Sequence, residues 1–198
     1  FAGRVGLDVD GIALFMALCI LGGGLMQWPI GWLSDKYDRR TVLTIALFIA
    51  GGIAIVIATV GIMRPEYLLY IAFVYGAASF PLYALTVSHA NDYVEADERV
   101  VVSGTLLLTY GTGAIIGPVL AGPIMVELGV AGLFYYIGGV FIIVGIYALW
   151  RMTRRAAPPL SEQNKFVPTP GSTPVAGELD PQAEADSDAP TPPPVERV

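Results

Sequence analysis

The sequence predicts an all-α integral membrane protein, with five transmembrane helices followed by a disordered tail. Three observations carry this. Of 198 residues, 55% are hydrophobic and only 14% charged, whereas an ordinary soluble domain carries about 25% charge. Uncharged stretches of spanning length recur along the chain with short charged breaks between them. Charge is also concentrated at one end: the 38 residues from Ser161 hold seven acids and two bases, which is −5 of the net −6.

The first span covers 11–33 and the second 41–63, each 23 residues without a charge. At 1.5 Å per residue such a helix rises about 34 Å, enough to cross a hydrocarbon core of about 30 Å with some tilt. The third, 67–89, carries only His89 at its end, and the fourth (100–126) and fifth (130–150) hold no acid or base. None shows the polar face of a solvated helix. Barrel strands would alternate, and Ile45-Ala46-Leu47-Phe48-Ile49-Ala50 does not, so the spans are helical.

Lys and Arg in the connections set the orientation. With 34–40 in the cytoplasm, Lys36, Arg39, Arg40, Arg99, Arg151, Arg154 and Arg155 fall inside, and Arg4 and Arg64 outside. Trp28, Trp32, Tyr37 and Trp150 then lie near the inner interface, and Tyr67, Tyr70, Tyr135 and Tyr136 near the outer one. The expected location is a bacterial inner membrane with the tail in the cytoplasm. Residues 158–198 hold ten of the 15 prolines and few apolar side chains, so they cannot repay the entropy of ordering. Phe1 to Asp10 reads as the end of a loop, so the chain is expected to be a fragment.

Several function classes drop out. A single cysteine, Cys19, excludes an intrachain disulfide or a cysteine zinc cluster. The negative charge argues against nucleic acid. No His-Glu-x-x-His or Gly-x-Ser-x-Gly run occurs, so no catalytic residues, metal or cofactor are expected.

The first inner loop reads Gly31-Trp32-Leu33-Ser34-Asp35-Lys36-Tyr37-Asp38-Arg39-Arg40-Thr41-Val42-Leu43. It resembles the loop signature of the major facilitator superfamily, Gly-x-Leu-x-Asp-(Arg/Lys)-x-Gly-(Arg/Lys)-(Arg/Lys), with Asp38 where the family usually has Gly. As a cytoplasmic gating motif, Gly31 would allow close helix approach and Asp35 would sit at a neighbouring helix N-terminus. Lys36, Arg39 and Arg40 would pair with Asp92, Glu95, Asp97 and Glu98 of the loop 91–99. The plainer reading is a basic loop that only sets topology. The resemblance covers Phe1 to Arg155 and implies helices eight to twelve of a twelve-helix transporter, similar to a branch of bacterial transporters of unstated substrate. It further implies a missing N-terminal half as partner and a small-molecule substrate bound between halves.

The resemblance would place spans one, three and four beside the cavity and two and five against lipid. Aliphatic spans two and five suit lipid on composition as well. Candidate cavity-lining residues are Gln27, Ser79, Tyr83, Thr109 and Tyr110; for the tyrosines, simple helix packing is the equal alternative. Gly113 and Gly117 are spaced for close packing, and Pro118 favours a kink. His89, beside Asn91 and Asp92, reads as an interfacial residue rather than a proton relay. No acid lies deep in a span, so if a proton is coupled its carrier is expected outside this chain. The expected function is secondary active transport of a small solute by alternating access. The alternative is a non-transporting membrane scaffold or assembly partner that acts through its tail.

Overall fold

In the computed structural model the described residues are 1–94, 99–154 and Phe166, without the side chains of 99 and 100. They form α-helices and short 3-10 turns with no strand among them. Helix α1 runs Val9–Lys36, α2 Arg39–Met63, α3 Leu68–Ser79, α4 Pro81–Asn91, α5 Arg99–Glu127 and α6 Gly132–Met152. Five helical units are long and apolar enough to cross a membrane, α3 and α4 together making one of them. The tail assigned to 158–198 lies outside the described residues except at Phe166, as do Glu95, Asp97 and Glu98.

The helices outrun the uncharged stretches. Lys36 ends α1 and Arg39 begins α2, which leaves only Tyr37 and Asp38 between them. Caps explain the sharp starts. Asp8 accepts from the Gly11 N–H at 2.9 Å, and Asp38 from the Arg40 N–H at 3.1 Å, satisfying first-turn donors that lack an intrahelical partner. Asp38 has φ −53°, a backbone that needs no glycine, so its departure from the usual signature leaves the turn intact and supplies a cap. The third span breaks at Phe80, where Pro81 opens α4 without an N–H to donate.

Lipid tails are as apolar as leucine, so helices in a membrane associate through close packing at small residues. Helix α1 meets α3 this way: a Cβ on Gly22 would strike the Phe73 carbonyl, and one on Gly76 the Cys19 carbonyl. Helix α2 meets α6 similarly, with a Cβ on Gly138 falling 3.0 Å from the Gly51 carbonyl oxygen. Two buried clusters result. Val42, Ala46, Leu47, Ala50, Ala78, Leu82 and Leu85 fill the charged-end half, and Ala54, Ile57, Ala58, Leu68 and Phe134 the other. Phe134 takes Phe1 and Tyr75 edge-on, with centroids at 4.6 and 5.6 Å.

The second span packs one face inward and leaves an aliphatic stripe of Ile45, Ile49, Val56 and Val60 exposed. Helix α2 is enclosed by α1, α3, α4 and α6, and only part of its surface, such as Ile45 and Ile49, is exposed. Aliphatic composition cannot separate lipid-facing from helix-facing surface, since both surroundings are apolar. Helix α5 is the open one. It leans chiefly on α6 and lightly on α4, and most of its surface is bare.

Candidate functional site

The side chains singled out for a gate converge where α1 ends, α2 begins and α4 ends. Thr44 near the start of α2 reaches Met152 Sδ at 3.6 Å, so Arg151 and Arg154 of the α6 end share this side with Lys36, Arg39 and Arg40. Arg4 and Arg64 belong to the opposite side, in keeping with alternating helices.

Arg39 is the centre. It is 1% exposed, yet its guanidinium is well supplied with acceptors. Nη1 donates to both carboxylate oxygens of Asp92, at 2.8 and 2.9 Å, and to the Ser88 carbonyl at 3.0 Å. Nη2 donates to Asp35 Oδ1 at 3.1 Å. Asp92 follows the C-terminus of α4, and the Ser88 carbonyl lies in its last turn, where the helix dipole is negative. One cation on α2 therefore bridges an acid of α1, an acid beyond α4 and the negative end of α4 itself. Planar forked donors make Arg suited to this, where a lysine ammonium would be a point charge.

The loop pairing expected from sequence thus has a specific form. Asp92 pairs with Arg39, and the pair is buried rather than solvent-exposed, with the Asp92 side chain only 2% accessible. Sequence spacing showed two loops of opposite charge; it gave no sign that one pair would be sealed inside the helix junction. Asp35 accepts from Arg39, the first residue of α2, through the i,i+4 geometry across the two-residue turn. Arg40 turns to Asp38 at 3.5 Å. Lys36 lies over the Trp32 ring at 5.0 Å, a cation–π contact. Ser34 is fully buried and donates to the Gly31 carbonyl at 2.9 Å.

Gly31 differs from expectation. Its open side faces the Phe166 ring rather than a neighbouring helix, and any Cβ there would collide with that ring. The Phe166 N–H donates to Asp35 Oδ1 at 2.8 Å. Sequence reasoning missed Phe166. Its signal was compositional: it is the one aromatic residue from 161 onward.

The candidate cavity residues are only partly brought together. Tyr83 of α4 and Tyr110 of α5 meet edge to face, centroids 5.5 Å apart. The Ser79 hydroxyl donates to the Tyr75 carbonyl at 2.7 Å and Thr109 to the Thr105 carbonyl at 2.8 Å, each within its own helix. Such back-bonding satisfies a hydroxyl in an apolar medium and leaves its lone pairs facing outward. Gln27 is half-buried midway along α1. Gly113 and Gly117 meet no close neighbour: among the described residues nothing stands within 4 Å of a Cβ at either position. The tight crossings lie instead at Gly22 and Gly76, whose signals were Gly22-Gly23-Gly24 and Gly76-Ala77-Ala78. Pro118 sits within α5, which stays helical from Arg99 to Glu127. His89 packs edge-on against Tyr93 at 5.2 Å.

This geometry, a signature loop joined through a buried arginine to the next inner helix end, can be set beside known proteins. The sequence profile of the Major Facilitator Superfamily matches residues 1–185. The chain belongs to the major facilitator superfamily. It is 33% identical over 138 residues to the uncharacterized MFS-type transporter YcaD of Salmonella arizonae, covering 70% of this chain and 35% of that protein. It is 32% identical over 158 residues to the YcaD of Escherichia fergusonii, covering 79% and 39%. The uncharacterized MFS-type transporter YE1530 of Yersinia enterocolitica is 29% identical over 153 residues, covering 77% and 39%. The chain thus spans less than two-fifths of the length of these relatives. No solved structure matches it. Superfamily membership and the five apolar helices make this facilitator chain an integral membrane protein.

Proposed function

We propose that the whole protein is a secondary transporter of a bacterial inner membrane, moving a small solute by alternating access. In this reading the chain supplies helices eight to twelve, with the Lys36–Arg40 end and the tail in the cytoplasm. Its relatives' description as MFS-type transporters supports transport. The observation that carries the mechanism is the buried Arg39, tied to acids from two other helix ends. An ion network of this kind favours one arrangement of three helices and is disrupted as a unit, which is what a two-state gate requires. The exposed face of α5, with Tyr110 open to its surroundings, suits a surface against which the rest of the protein packs. Substrate would then bind near the midplane between the two halves.

The test uses the full-length protein in proteoliposomes, screened against a panel of labelled solutes. Flux of at least one solute is expected, lost on Arg39→Ala and retained when residues 168–198 are removed. A protein that moves no solute yet loses a soluble partner on that truncation would instead be a scaffold.

A further inference from the structure

Phe166 touches α1 and packs against a buried cluster drawn from α2, α3 and α4. Its ring lies over Gly31 of α1, in the place where any side chain at that position would stand. It also packs against the buried cluster that includes Val42 of α2 and Leu82 and Leu85 of α4. Its N–H binds Asp35 Oδ1, the same oxygen that accepts from Arg39. The carboxylate is therefore shared between the arginine that ties the helix ends and the backbone of the segment beyond α6. Two independent features fit this one occupant: an apolar notch that exists because residue 31 has no side chain, and an acceptor beside it placed for a main-chain donor.

We propose that Phe166 is a stopper, which by its ring and its N–H holds the Asp35–Arg39–Asp92 junction closed. The ring fills the space beside Gly31 against the buried cluster, and the N–H fixes the Asp35 carboxylate in the position that serves Arg39. Opening of the junction requires the ring to leave. Phe166 is thereby made a built-in inhibitor of the gate, and anything that draws it away would release the helix ends. The proposal takes from the transport reading only that these helix ends open.

Hydrogen–deuterium exchange of the full-length protein in lipid nanodiscs tests the docking. The peptide containing Phe166 should exchange about tenfold more slowly than peptides from 175–198, as a hydrogen-bonded amide in a locally stable unit does. Gly31→Ala, whose Cβ occupies the ring's place, should abolish that difference. A second measurement reads the junction. In an otherwise cysteine-free background, Ser34→Cys should react slowly with a water-soluble maleimide, and adding Phe166→Ala should raise the rate about tenfold. Phe166→Trp, which keeps an aromatic ring, should raise it less than Phe166→Ala. Equal exchange of the Phe166 peptide in native and Gly31→Ala protein would overturn the docking. Protection of that peptide with unchanged Ser34→Cys labelling would overturn the stopper. Neither readout uses a transported solute, so a failed flux assay counts against transport alone.

Discussion

Replacing Asp92 with Ala removes the most buried ion pair among the described residues. Arg39 is 1% and the Asp92 side chain 2% exposed, so neither charge can turn to water when its partner is lost. Two unit charges about 4 Å apart attract by about 4 kcal/mol at an effective dielectric of 20. Leaving a buried charge wholly uncompensated costs about 3–5 kcal/mol, but Arg39 keeps Asp35 and the Ser88 carbonyl, so the loss is about 1–3 kcal/mol. Asp35 softens this only partly, since it is the more exposed acid and stands at 3.1 Å. The assay is unfolding of the full-length protein in mixed micelles, driven by a denaturing detergent, with variants compared at fixed micelle composition. Asp92→Ala should lose about 1–3 kcal/mol, while Arg40→Gln, which breaks the looser and more open contact with Asp38, should lose about 0–1 kcal/mol. The double variant Arg39→Met, Asp92→Leu should recover much of the loss, because replacing a buried pair by apolar groups is often near neutral. A loss below about 1 kcal/mol for Asp92→Ala, or a double variant as unstable as the sum of its singles, would refute the buried-pair reasoning.

Other expectations concern packing. Gly76→Ala drives a Cβ into the Cys19 carbonyl and should destabilise by about 1–3 kcal/mol or more. Gly52→Ala, which meets nothing within 4 Å, should be neutral in the same unfolding titration. Tyr83→Ala should cost about 0.5–1.5 kcal/mol beyond the loss of buried area, through its edge contact with Tyr110. Tyr83→Phe should retain that share, and equal losses for both variants would assign the effect to the hydroxyl. Gly113→Ala and Gly117→Ala should leave the packing of these five helices intact, since both glycines face open space within the chain. A sharp stability loss of the full-length protein in either variant would place a close neighbour on that face of α5.

The sequence by itself determined which segments are helices and that they belong in a membrane. That information is local: a run of 23 uncharged residues is long enough to span a membrane as a helix, and the signature around Asp35 is read within a few residues. The sequence also showed opposite charges on the two inner loops. Only the tertiary structure decided that Asp92 is the acid Arg39 takes, that the pair is sealed from solvent, and that Phe166 fills the space Gly31 leaves. It likewise placed tight crossings at Gly22 and Gly76 and packed one face of α2 against its neighbours. The reason is common to all of these. Polarity reports whether a residue shuns water, and both lipid and a neighbouring helix satisfy that demand. What a glycine, an aliphatic face or a charge does depends on the atoms opposite it, and those are fixed only when the helices cross.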